Sequence, residues 1–192
     1  MSGKTALRDH VANGIIDTAA GVLATRRDAG MGEIAAAAGV GRATLYRYFS
    51  NREELLRALA ARGVDELGQR MAEADLAGQP VPEALARVTR ALVLAGRKYI
   101  ALADLPRDLV DAGEIDRRMT APLRALLRRG TAEGVLRGDL DQATLLAAYL
   151  GLLRSLIVQS IQDGQGAEAV STAVTALFLR GAGSSGAEDR LP

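Results

Sequence analysis

Apolar residues recur along the chain at helical spacing, and alternation of the kind a half-buried strand needs is absent over any useful length. Leu7, Val11, Ile15, Ala19, Val22 and Leu23 predict a first amphipathic helix over about residues 5–25. Met31, Ile34, Ala35 and Ala38 share one face of a short second helix, and Gly39 ends it as a left-handed C-terminal residue. A third helix covers about 42–49. Ser50, with Glu53 three residues on, reads as a capping box that opens a fourth helix to about Ala74. The run 76–82 breaks the pattern, and Pro82 suits the first position of a fifth helix reaching about Ala103. Pro106 starts a short sixth element ending near Gly113. A seventh helix covers about 115–133, with Pro122 marking either a kink or its true start. Asp141 caps an eighth helix over about 142–162. The ninth carries a stripe at Val170, Ala173, Val174, Leu177 and Phe178. Residues 183–192 read as a loose tail. Ala occurs 36 times in 192 residues and is the strongest helix former, so composition and periodicity agree on an all-α fold of about nine helices.

Composition narrows the chemistry. With no Cys, disulfides, thiolate catalysis and Cys-ligated metal centres are excluded. One His, His10, leaves neither a His-based metal site nor a Ser-His-Asp triad, and no metal or cofactor is expected. The N-terminal stretch mixes charges with isolated apolar residues and shows no signal-peptide pattern. The nearest approach to a membrane span is 143–161, but it holds Arg154, and a central Arg costs about 2.5–3.5 kcal/mol on insertion scales. A cytoplasmic protein with no membrane partner is expected. Net charge is only +1, yet it is unevenly spread. Residues 1–62 hold nine basic against six acidic residues, while 63–192 hold fifteen against seventeen, so the positive excess sits at the N-terminal end.

The second and third helices, joined through Gly39, form a helix-turn-helix pattern over about 31–50. Leu45 and Phe49 lie four apart and point inward, leaving Arg42, Ala43, Thr44, Tyr46 and Arg47 outside. Arg donates to guanine edges and phosphates, hydroxyls reach phosphates, and Ala43 allows close backbone approach, so this face suits a major groove. Arg52 stands at the start of the next helix, where a phosphate could be held. On spacing alone, a solvated amphipathic helix explains the pattern equally well.

The run from Ile34 to Leu56 resembles the DNA-binding domain of TetR-family transcriptional regulators. The matching positions are Ile34, Ala35, Ala38, Gly39, Val40, Thr44, Leu45, Tyr46, Tyr48, Phe49, Arg52 and Leu55. The resemblance covers roughly residues 10–60, and 134–141 is similar to the family's connection between its seventh and eighth helices. It implies a DNA-binding domain at 1–62, a helical effector-binding and dimerisation domain at 63–182, and a tail at 183–192. It implies DNA contacts from Gly30, Arg42, Ala43, Thr44, Tyr46, Arg47, Tyr48 and Arg52. Gly30 and Gly41 stand where many members carry a hydroxyl cap, so a phosphate there is left to backbone N–H groups.

The family resemblance also implies a bacterial homodimeric repressor, released from a palindromic operator by a small-molecule effector. The eighth helix supports dimerisation independently: Arg154 is its one charge over 143–161, and the ninth helix is too short to cover it alone. Leu152, Leu156, Val170, Val174, Leu177 and Phe178 are the candidate interface. Polar residues within apolar helices, Arg97, Tyr99, Asp104, Met119, Tyr149 and Arg154, are the candidate effector contacts. Arg154 also suits a carboxylate across the interface, and Tyr149 a core position. With just three aromatics, this part offers no large aromatic cage. An activator, or a regulator without ligand, is the alternative output. A helical-bundle enzyme is the distant one, and Asp108, Asp111 and Glu114 are its poor best case.

Overall fold

The computed structural model describes residues 2–100 and 109–183. Its helices are α1 (Ser2–Thr25), α2 (Met31–Ala37), α3 (Arg42–Tyr48), α4 (Arg52–Glu73), α5 (Val81–Tyr99), α6 (Ala112–Ile115), α7 (Ala121–Ala132), α8 (Gln142–Asp163) and α9 (Ala167–Ala182). Among the described residues there is no strand, only one antiparallel bridge between Leu136 and Gly183. The fold is all-α. Asp104, residues 106–108 of the element expected from Pro106, and the tail beyond residue 183 lie outside the described residues; the expected end of that element near Gly113 is not found, since α6 runs from Ala112 through Gly113.

Two compact units form. The first takes Met1–Asp65 together with Lys98–Ala112; the second takes Glu66–Arg97 and Gly113–Pro192. The first unit's core is built by Ile15, Ala19 and Leu23 of α1, Ile34 and Ala35 of α2, Leu45 and Phe49 beside α3, and Leu55 and Leu59 of α4. Tyr99, at the end of α5, completes it, so this residue belongs to the first unit and not to the sensor domain assumed from sequence. The second unit packs α8 against α7 and α9. Leu145, Tyr149, Leu153 and Ile157 of α8 are buried at i, i+4, i+8, i+12, and Val170, Val174 and Phe178 of α9 are buried as well. By length and composition α8 is apolar enough to cross a membrane. Its buried stripe is nevertheless what a helix in a packed bundle shows.

Three local predictions shift when the chain folds. The cap of α4 is Asn51, whose Oδ1 accepts the Glu54 N–H at 2.8 Å. Glu54, rather than Glu53, reaches back, accepting the Ser50 N–H at 2.7 Å and the Ser50 hydroxyl at 2.6 Å. Either residue can cap, and burial of Leu55 and Leu59 fixes which one does. Glu53 turns outward to pair with Arg57. The predicted seventh helix keeps its length but changes pitch: a π-helical turn, Asp116–Thr120, joins α6 to α7. Pro122 has no N–H to return to residue 118, and the turn before it widens, with the Ala121 N–H reaching Asp116 O. Two other features stand as read from sequence. Gly39 adopts a left-handed φ of 66°, the backbone conformation that closes a helix on glycine. The Val40 N–H bonds to Ala35 O at 3.0 Å and the Gly39 N–H to Ala36 O at 3.1 Å, which completes a Schellman close. Asp141 caps α8, its Oδ1 accepting the Thr144 N–H at 2.7 Å.

Candidate nucleic-acid interface

The helix-turn-helix is short and tightly held. Leu45 is fully buried, Phe49 nearly so, and Ile34 and Ala35 meet them from α2. Burying Leu45 and Phe49 contributes roughly 1.5–3 kcal/mol each, which fixes the rotation of α3 about its own axis. The rotation leaves Arg42, Ala43, Tyr46 and Arg47 exposed and Thr44 and Tyr48 half-buried. Tyr46 keeps 49% of its surface in solvent, unusual for an aromatic in a helix with a buried face. The seven residues of α3 span about 10 Å, a length that a major groove about 12 Å wide admits.

Charge on this face is uncommitted. Nearby cations are paired: Arg26 with Glu33 at 2.6 Å, Arg57 with Glu53, and Lys98 with Asp17 at 2.8 Å. Among the described residues, Arg42 and Arg47 make no ion pair or hydrogen bond. The Arg47 guanidinium rests 5.5 Å from the centroid of the Tyr48 ring. That cation–π contact orients the guanidinium without neutralising it. Such a surface offers free donors of the kind phosphate oxygens accept, and Arg, Thr and Tyr groups of the kind that suit base edges.

Two residues expected on the interface are engaged elsewhere. Arg52 donates to Ala29 O and, at 2.9 Å, to Arg27 O. It holds the connection between α1 and α2, and its guanidinium is thereby directed at backbone rather than at a phosphate. Gly30 is exposed at the N-terminus of α2, but its own N–H donates to Glu33 Oε2 at 2.8 Å. The sequence signal for both was position relative to a helix start, which says nothing of what the rest of the chain already offers. Gly32 and Asn51, conversely, shape the unit and were not singled out beforehand.

The expected effector contacts do not converge. Tyr99 lies in the first unit's core. Tyr149 is fully buried in the second, its hydroxyl 2.8 Å from Thr89 Oγ1 and its ring edge-on to Phe178 at 5.2 Å and 75°. Burial pushes the Tyr149 phenol well above the ordinary tyrosine value, offset in part by the Thr89 hydroxyl. Arg97 donates to Ser160 Oγ at 3.2 Å and to Gln165 O, tying α5 to the end of α8. Met119 is half-buried within the π-turn, and Arg154 is exposed on α8. Of the candidate interface residues, Val170, Val174 and Phe178 are consumed by the unit's own core, so they are not surface. Leu177 is 55% exposed, and Leu152 and Leu156 are half-buried.

Residues 15–59 match the family described as bacterial regulatory proteins, tetR family. The HTH-type transcriptional repressor LfrR of Mycolicibacterium smegmatis is 42% identical over 104 residues, 54% of this chain and 55% of that protein. The match therefore spans about half of that repressor's length. The HTH-type transcriptional regulator NfxB of Pseudomonas aeruginosa is 29% identical over 173 residues, 88% of this chain and 92% of that protein. The crystal structure of LfrR from Mycobacterium smegmatis in complex with proflavine superposes with a TM-score of 0.77 at 29% identity, covering 91% of this chain and 97% of that one. A buried Leu45–Phe49 face, an exposed Tyr46–Arg47 face and these likenesses converge on one region: residues 15–59 match the tetR family of bacterial regulatory proteins, and the chain as a whole is similar to HTH-type transcriptional regulators.

Proposed function

We propose that the protein is a homodimeric transcriptional repressor acting in the cytoplasm on a palindromic operator, with α3 of each copy in successive major grooves. The observation that carries the reading is the exposed face of α3, where Arg42 and Arg47 have no counter-charge among the described residues and stand beside an exposed Tyr46. The repressor name of a relative supports the output as repression. The outer surface of α8 supports dimerisation. Only 33% of its most apolar stretch is buried within one chain. Ala147, Gly151 and Ser155 are exposed there and offer small side chains over which a second helix can approach closely. Leu152, Leu156 and Leu177 then supply apolar contact between copies.

A small molecule held by the second unit would favour a dimer spacing that no longer fits the operator. A ligand-bound structural neighbour supports that role for the unit. Only Tyr149 and Phe178 of the chain's six aromatics fall in the second unit, and they pack on each other, so such a ligand meets aliphatic walls rather than an aromatic stack.

Selection from a random DNA pool with the purified protein, followed by gel shift at fixed salt, tests the assignment. Tyr46→Ala and Arg47→Ala are expected to weaken binding to the selected sequence roughly 5- to 150-fold, as loss of about 1–3 kcal/mol of base contact would. Their circular dichroism is expected to stay that of the parent, because both side chains are exposed. Full affinity in both variants would refute the assignment of α3 as the reading helix.

A further inference from the structure

Arg42 is the first residue of α3, and its guanidinium lies against Gly32 in the first turn of α2. A Cβ at residue 32 would stand 2.7 Å from Nη2, 2.9 Å from Nε and 3.0 Å from Cζ. Real Cβ contacts essentially never fall below 3.0 Å, so a side chain at 32 and this placement of Arg42 exclude one another. The neighbouring carboxylate does not hold it either. Glu33 is committed to the Gly30 N–H and to Arg26, and Arg42 makes no ion pair or hydrogen bond among the described residues. The guanidinium therefore lies over bare backbone while its charge stays available.

We propose that Gly32 is a positioning residue for DNA binding: the bare backbone at 32 seats the Arg42 guanidinium where the two helices of the helix-turn-helix meet, ordered in advance for a phosphate. This role rests on the DNA-binding reading above and adds to it the device that sets one cation's direction. An arginine side chain has many rotamers to lose, and a side chain already seated loses fewer on binding. An alanine at 32 would push the guanidinium aside, since the far end of an exposed side chain yields more cheaply than packed backbone.

The test is a cycle of Gly32→Ala, Arg42→Ala and the double variant, measured on the DNA recovered with the parent protein over a range of salt. Gly32→Ala is expected to weaken binding by about 3- to 10-fold and to lower the salt slope by about 1, the signature of one lost phosphate contact. In the Arg42→Ala background the same change is expected to do nothing further. Misfolding is separated by thermal melting, because alanine favours the helix over glycine and the melting temperature should hold or rise. The positioning role is overturned if Gly32→Ala binds as the parent does, keeps its salt slope, or adds its full effect to Arg42→Ala. If the parent protein recovers no DNA sequence at all, the DNA-binding reading fails and takes this inference with it.

Discussion

Thr89 and Tyr149 offer a test of the second unit in which two damaging substitutions should repair one another. Their hydroxyls are 2.8 Å apart and both residues are fully buried. Tyr149→Phe leaves the ring in place against Phe178 but strands the Thr89 hydroxyl. Thr89→Val keeps the side-chain volume but strands the phenol. A buried polar group deprived of its partner costs about 1–3 kcal/mol, whereas replacing both partners by apolar groups of the same shape is nearly neutral. Each single variant should lose about 1–3 kcal/mol, and the double should lose less than either. In a chain of this length each kcal/mol moves the melting temperature by about 2–4 °C. Guanidinium denaturation followed by circular dichroism reads the three variants against the parent. Single costs that simply add in the double variant would refute the idea that the pair holds the core by mutual satisfaction. The phenol gives a second readout. Its folded pKa is raised above the ordinary value of 10.0, chiefly by burial. Its contribution is therefore intact below that value and is lost as pH rises through the folded one. Stability should fall at alkaline pH in the parent more than in Tyr149→Phe.

Leu177→Glu should shift the protein toward monomer in sedimentation velocity, and an unchanged dimer would place the interface elsewhere. Asn51→Ala should cost about 1 kcal/mol in denaturant unfolding through loss of the α4 cap, whereas Ser50→Ala should cost less because the Ser50 N–H still reaches Glu54. Hydrogen bonds from the Ser50 side chain and backbone hold the Glu54 carboxyl below its usual range, and bonds from Thr144 do the same for Asp141. Both contributions are present above the unfolded carboxylate values and vanish as pH falls through the lower folded ones. Glu54→Gln and Asp141→Asn should therefore flatten the acid side of a melting-temperature profile.

What the sequence revealed and what it hid follow from the range of the interactions. Leu45 and Phe49 were legible as the buried face of α3 because helical periodicity is local. Gly39 was legible as a left-handed close because few residues other than glycine tolerate that backbone conformation. Ser50 was read as the cap of α4 from its spacing to Glu53, but the fold caps the helix with Asn51, an equally good capping residue one position on, where Leu55 and Leu59 find their core. Arg52 read as a phosphate ligand until the fold brought Arg27 O and Ala29 O, more than twenty residues away in sequence, into its reach. The α9 stripe mixed two destinations, since Val170, Val174 and Phe178 turn into the unit while Leu177 turns out. Periodicity marks an apolar face but does not say whether its cover comes from the same chain. Tyr99 was placed in the wrong unit for a related reason: it sits on a helix whose earlier turns pack elsewhere.

The presence of Tyr99 in the first unit's core makes the reading head a non-contiguous module. A head cut from this protein at residue 62 would lack a buried aromatic and the Lys98 partner of Asp17. Grafting it onto another helical unit would thus require a host helix that delivers an equivalent Lys-Tyr pair, or a repacked set of residues among Ile15, Ala19 and Leu59 of the same core. Recombination between relatives is constrained in the same way. A crossover between residues 65 and 98 would separate a head from the side chain that fills it, and such chimaeras should survive only where the incoming segment carries a tyrosine of matching volume.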